Sequence, residues 1–385
     1  VTPTLAGVGP LRFSFAGVEP GLVLVWIVGM ACAVGAATQA KYHRLAALML
    51  MGGAGLATSV TFVWYSAPDL ALTQLLVEVV TTILILLGLR WLPKRFEDAG
   101  IDPLRKFSPR RLRDLALAIM AGAGMALLSY AVMTRDAPDG IARFFLDNAY
   151  SEGGGRNVVN VILVDFRGFD TLGEITVLGI VALTTYALLR RFRPAADSIP
   201  RPEQQRIQSE VEVERADHEE GTILSDFLFV PAVIMRWLFP AIVTLAAFLL
   251  LRGHDLPGGG FIAGITMAIG FILQYLAGGT RWVEDRLRIL PVYWIAAGLL
   301  LALATGAGAW LFGVPFLTTY FQYADLPVLG RLPVASALLF DLGVFVLVVG
   351  ATVLILVAIA HQSLRAASPR AKGASGSADA SRGAS

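Results

Sequence analysis

Asp69-Leu-Ala-Leu-Thr-Gln-Leu-Leu-Val-Glu-Val-Val-Thr-Thr-Ile-Leu-Ile-Leu-Leu-Gly-Leu89 is an apolar run with one ionisable group at its mouth, Asp69, and one inside it, Glu78. A hydrocarbon layer about 30 Å thick is crossed by about 20 apolar residues at 1.5 Å each, and only a helix satisfies its own backbone in lipid. The stretch therefore reads as a membrane-spanning helix. Glu78 lies nine residues past Asp69, which puts it about 13.5 Å deep, close to the midplane. Gln74, Glu78 and Thr82 recur every fourth residue with Thr81 beside them, so the helix carries one polar stripe turned toward protein or water. Burial in a medium of low dielectric favours a protonated carboxyl, and such a group can exchange a proton against a cation.

Working outward, eight more runs have the same character, giving nine at about 21–39, 44–66, 69–91, 113–134, 170–189, 237–252, 259–278, 289–311 and 334–360. The sixth is short and follows a second apolar stretch, Phe227–Trp237, broken by Pro231 and Arg236. Composition agrees: 56% of the residues are hydrophobic and 16% charged, with a mean hydropathy of +0.67. The expected fold is all-α, a polytopic membrane protein of about nine transmembrane helices. Basic clusters at Lys41/Arg44, Lys94–Arg113, Arg190–Arg193, Arg281–Arg288 and from Arg365 alternate with neutral or acidic connections. By the positive-inside rule the N-terminus lies outside and the C-terminus in the cytoplasm. The chain begins with Val1 and shows no leader, an arrangement easiest to understand if further transmembrane sequence precedes it.

The expected organisation is a five-helix membrane module over 1–190, a charged cytoplasmic linker over 191–221 with Pro194, Pro200 and Pro202, a four-helix module over 222–362 and a disordered Ala/Ser/Gly-rich tail over 363–385. Asn157, Asn160 and Arg167 recur at helical spacing, so 157–167 is expected to lie flat at the membrane interface. The 31 basic and 29 acidic residues nearly cancel, which leaves no footprint for nucleic acid. A single cysteine, Cys32, sits in an apolar run and reads as packing. It excludes an internal disulfide and any multi-cysteine metal centre. Nothing matches a dinucleotide or phosphate-binding glycine pattern, a His-Glu-x-x-His helix or a serine elbow, so neither catalysis nor a cofactor nor a metal is expected.

Other ionisable groups near or inside spans each ask for a reason. Asp170 and Glu174 share a helix face at the start of the fifth span, and Asp341 lies early in the last. Each reads either as a station on an ion path or as a hydrated or helix-holding carboxylate. Arg236, near Pro240, reads either as a structural partner of Asp226 or as lining a polar path, the structural role being favoured. The loop Gly253-His-Asp-Leu-Pro-Gly-Gly-Gly-Phe-Ile-Ala-Gly264 is the most distinctive. Pro257, Gly258, Gly259 and Gly260 permit a tight reversal, and Gly260 with Gly264 makes a small-residue face for close helix contact. His254 and Asp255 read either as a proton-relay pair or as incidental loop residues.

These motifs carry a resemblance. Residues 66–92 and 157–180, the latter containing Val-Asp-Phe-Arg-Gly-Phe-Asp-Thr-Leu-Gly-Glu-Ile-Thr, resemble the C-terminal part of the A subunit of Mrp-type multisubunit cation/proton antiporters. Residues 222–361, with the Gly-His-Asp-Leu-Pro-Gly-Gly-Gly-Phe loop, resemble the B subunit. The resemblance implies one component of an Na+/H+ antiporter complex of the plasma (inner) membrane, related to the membrane arm of respiratory complex I. It implies Na+ and H+ as transported ions and other complex subunits, antiporter-like bundles among them, as partners within membrane lipid. Glu78 and Glu174 match acidic positions that the family associates with ion transport. The long antiporter-like bundle of a full A subunit is absent from this chain, so a complete proton route is not expected in it alone. Two rival readings stand beside this one. In the first the chain is scaffold and its carboxylates only hold helices; in the second it belongs to the membrane arm of a complex-I-like hydrogenase.

Overall fold

In a computed structural model the structure describes residues 19–40, 43–89, 109–133, 140–191, 229–278, 283, 290–326 and 330–365. The linker expected over 191–221, the tail, Asp226 and most of the basic clusters lie outside the described residues. Helices follow in the order α1 Pro20–Gln39, α2 Arg44–Trp64, α3 Pro68–Leu89, α4 Pro109–Met133, α5 Ala142–Asn148, α6 Val158–Val161, α7 Gly168–Arg191, α8 Phe229–Arg252, α9 Gly260–Gly278, α10 Pro291–Gly308 and α11 Ser336–Arg365. Among the described residues, nine helices (α1–α4 and α7–α11) are long and apolar enough to cross a membrane, as the hydrophobic runs predict. The chain is a multi-pass membrane protein.

Three details differ from the expectation. The sixth span is one continuous helix, α8, running through Arg236 with Pro240 inside it. Neighbouring helices and local adjustment absorb a proline in lipid, so the break inferred from Pro231 and Arg236 does not form. The connection after α10 carries a short antiparallel hairpin, β1 Phe321–Leu326 paired with β2 Gly330–Ala335. Residues 157–167 do not lie flat on a surface. They fold into α6 and a π-turn over Ile162–Phe166, with Asn160, Val161 and Val164 buried.

The core sits around α11, where Phe340, Val344, Leu347, Val348, Val353, Leu354 and Leu356 are almost wholly enclosed. α11 packs on α10, α9 and α7, while α9 also packs on α8 and, across the molecule, on α3. Lipid tails are as apolar as leucine, so close backbone approach and packing hold such helices together. Glycines make that approach possible. A Cβ on Gly298 would stand 2.6 Å from the Gly343 carbonyl oxygen, one on Gly343 2.8 Å from that of Gly298, and one on Gly264 2.8 Å from the Val348 Cβ. At the other extreme, every described side chain of α4 from Leu112 to Ser129 is exposed. A helix apolar on all sides needs lipid or another protein around it.

The α10–α11 seam supplies a stability test. Gly343→Val should destabilise the detergent-solubilised protein by about 1–3 kcal/mol, the cost of overpacking. Gly88→Ala, at a position with nothing within 4 Å of its Cβ, should not lower the melting temperature. Equal melting temperatures for the parent and Gly343→Val would contradict the seam.

Candidate functional site

Two polar sites flank α3. The first faces α2, where the Glu78 carboxylate fills the groove left by two glycines. A Cβ on Gly55 would collide with it, and one on Gly52 would lie 3.7 Å from its Oε1. Gln74 donates from Nε2 to Glu78 Oε2 at 3.4 Å, one helical turn away. Gln74, Glu78 and Thr82 are all half-buried, and Glu78, with Gln74 bonded to it, faces the α2–α3 seam. Thr81, beside the stripe, is exposed.

The second site gathers at the end of the bundle where α3, α7, α9 and α11 begin and α8 and α10 end. Asp69 is buried in the first turn of α3 and accepts a hydrogen bond from the Gly258 backbone N–H at 2.8 Å. Asn157 stands beside that carboxylate with its side chain in hydrogen-bonding reach, and Arg252 adds a positive charge nearby. Asn157 also clamps the glycine loop, donating to the carbonyls of Gly253 at 3.0 Å and Leu256 at 3.1 Å. Its own N–H bonds the His254 carbonyl at 3.0 Å. Arg252 donates from Nε to the Pro257 carbonyl at 2.7 Å. Gly259 holds φ at +96°, a conformation that a side chain would strain. Asp341 meets the same loop from α11 and accepts from the Gly260 backbone N–H. Asn160 reaches the loop too, its Nδ2 lying 2.7 Å from where a Cβ of Gly259 would be.

His254 is buried and its Nε2 pairs with the Gly153 carbonyl oxygen at 2.8 Å. Asp255 accepts instead from the Arg156 backbone N–H at 3.2 Å. The two neighbours are thus engaged separately, and the group that shares the environment of His254 is Asp165. Burial pushes the Asp165 carboxyl up from its ordinary value; a hydrogen bond from Thr319 and the proximity of His254 oppose that rise, and Glu152 adds to it. An open cleft lined by Glu152, Asp165, Arg167, Thr318 and Thr319 leads to it.

Asp69, His254, Asp341 and Pro257–Gly260, predicted separately, therefore meet in one place, while Glu78, Gln74 and Thr82 form another. Gly264 lies a turn further along α9 against Val348. Asp170 is exposed and ion-paired with Arg167. Glu174 is exposed on α7 and makes no hydrogen bond or ion pair among the described residues. Arg236 is exposed as well. Sequence reasoning missed Asp165, Arg252 and the anchoring role of Asn157. The two asparagines were visible as polar groups in an apolar stretch, and that was the available signal.

Three family profiles tile this architecture: MbhD, the D component of MBH, over residues 28–94; MbhE, the E component of MBH, over 109–206; and MnhB, "Domain related to MnhB subunit of Na+/H+ antiporter", over 230–354. The B subunit of the Na(+)/H(+) antiporter from Bacillus subtilis (strain 168) is 42% identical over 31% of this chain and 85% of its own length. The chain belongs to the Mrp-type antiporter family, as the C-terminal portion of an A subunit joined to its B counterpart. A probable K(+)/H(+) antiporter A/B protein of Rhizobium meliloti (strain 1021) is 65% identical over 93% of this chain. The chain spans 36% of the length of that A/B relative. Among solved structures, the Mrp complex from Dietzia sp. DQ12-45-1b superposes with a TM-score of 0.73 at 30% identity, covering 92% of this chain and 36% of the matched one. The names of these Mrp-family relatives are those of antiporter subunits, not of enzymes.

The raised Asp165 carboxyl yields a pH prediction. It binds its proton more tightly in the fold than in the unfolded chain, where the value is 3.8. Its contribution to stability is therefore complete below that value and is lost as the pH rises through the folded one. Asp165→Asn cannot ionise and keeps an oxygen for Thr319. As the pH rises from the unfolded value of 3.8, its melting temperature should fall less than the parent's; identical profiles would contradict the assignment.

Proposed function

We propose that this chain is a transport component of a multisubunit monovalent cation/proton antiporter in the plasma membrane, and that Glu78 is a station on its ion path. Residues 1–190 supply the A-like module that carries Glu78, and 222–362 the B-like module that supports it; the junction end faces outward, following the placement of basic residues. The observation that carries the reading is the position of Glu78, a carboxylate about 13.5 Å along its helix, set in a groove of Gly52 and Gly55 with Gln74 bonded to it. A glutamine or threonine would hold two helices together at lower cost in hydrocarbon than a glutamate does. Exchange of a proton against an alkali cation uses the carboxylate's two states, one neutral and one that attracts the cation. Na+ and K+ are both named for relatives, and an oxygen-lined stripe can receive either.

The exposure of Glu174 supports a second element of the reading. An exposed carboxylate on a membrane-spanning helix needs a polar partner from outside the described residues. On this reading it joins Asp170 and the apolar faces of α4 and α7 in meeting a neighbouring component of the complex. The scaffold reading draws on the junction residues, since Asp69 and Asp341 both hold backbone amides of the glycine loop. We therefore assign those two, with His254, to holding the glycine loop in place where the two halves meet.

Glu78→Gln separates the readings in everted vesicles containing the whole complex. Cation-dependent proton exchange, measured with Na+ and with K+, should drop by about a hundredfold or more while assembled complex on a native gel stays at the parental amount. Full exchange with normal assembly would remove Glu78 from the path.

A further inference from the structure

The first three helices meet the second half through α3, beside the separate packing of α7 on α11. α1 packs on α2 and α2 on α3, and it is α3 that carries the principal contacts from this three-helix unit to α9 and α11. Leu72 and Leu76 of α3 lie against the apolar patch of Leu249, Leu250, Ile262 and Ala263. Such contacts are non-directional and let a helix slide or turn at little cost. The directional contact at this interface is the Gly258 N–H to Asp69 Oδ1 hydrogen bond at 2.8 Å, which joins residues 189 positions apart.

We infer that Asp69 is a positioning residue: through it the Pro257–Gly260 turn of the second half sets the rotation and depth of α3, and so the placement of Glu78 in its groove. The inference rests on reading Glu78 as an ion-path carboxylate. Helical geometry connects the two residues. Nine positions are two and a half turns of 3.6 residues, so Asp69 and Glu78 project from opposite sides of one rod. Asp69 faces the glycine turn; Glu78 faces Gly52 and Gly55 of α2. A rotation of about 20° would move a carboxyl group about 6 Å from the helix axis by about 2 Å, enough to take it out of a groove with no room for a single Cβ at Gly55.

The anchor point is itself fixed. Gly258 and Gly260 are each enclosed by backbone, the first against the Leu249 carbonyl and the second against that of Asp341. Arg252 bonds the Pro257 carbonyl at 2.7 Å, and Asn157 bonds two carbonyls that lead into the turn, at Gly253 and Leu256. A donor held this firmly can orient the helix that accepts from it. The second half thereby acquires a role in exchange through a contact made nine residues before Glu78 on α3.

Asp69→Ala and Asp69→Asn in the complete complex test the inference, with cation-dependent exchange in everted vesicles resolved into apparent KM and maximal rate. Asp69→Ala should raise the apparent KM for the cation about tenfold at a parental amount of assembled complex. Asp69→Asn keeps an oxygen to accept the Gly258 N–H and should recover most of that loss. If Asp69→Ala does not assemble, Asn157→Ala loosens the same anchor and should raise KM in the same direction by a smaller factor. A parental KM in an assembled Asp69→Ala complex, or in Asn157→Ala where the former is absent, overturns the inference. So does an Asp69→Asn complex as impaired as Asp69→Ala. Loss of exchange in Glu78→Gln alongside an unchanged Asp69→Ala defeats only the positioning role, whereas full exchange in Glu78→Gln defeats both readings.

Discussion

Hydrocarbon offers no water to a polar group, so each polar atom inside the bundle must find its partner in protein. That constraint arranges α3 and, through it, the molecule. One side of the helix begins with Asp69, whose carboxylate is met by a backbone amide of the glycine turn and by Asn157. The opposite side carries Glu78 with Gln74, pressed into the space that two glycines leave on α2. Apart from Thr73, Thr81 and Thr82, the rest of the helix is apolar.

The same constraint explains the glycine turn. Three consecutive glycines allow the chain to reverse between α8 and α9 while offering its amides to carboxylates from two different helices, Asp69 of α3 and Asp341 of α11. Asn157, nearly a hundred residues upstream of the turn, occupies the carbonyls. The two halves are therefore joined at one end by polar bonds with direction and along their length by apolar packing without it. A fused A/B chain keeps the acceptor and the donor on one polypeptide.

Much of the fold was legible in the sequence because the bilayer imposes a length: an apolar window either spans or does not. All nine windows became helices, and the polar stripe of Gln74, Glu78 and Thr82 followed from period alone. What was not legible depended on contacts distant in sequence. Asn157 and Asn160 looked like the wet face of an interfacial helix, yet Asn160 is buried and the half-buried Asn157 is bonded to a loop nearly a hundred residues away. Composition cannot distinguish those two environments. Asp165 belonged to a recognised motif but showed no sign of burial until His254, Thr319 and Glu152 were brought around it. The hairpin at 321–335 left no clear alternation, since one strand holds Pro333 and the other Asp325. Glu174 was read from its depth, and depth says nothing about which way a side chain faces.

Membership of the Mrp-type family frames the central claim, which concerns one half-buried carboxylate: an aqueous or cation-filled route reaches residue 78. Cys32 is the sole cysteine in the chain, so a Cys32→Ala background permits a single reporter thiol at Glu78→Cys in the assembled complex. The account predicts that a small charged thiol reagent added in water modifies this cysteine and that the transported cation slows the reaction. Modification by apolar reagents alone, at a rate indifferent to cation, would contradict it.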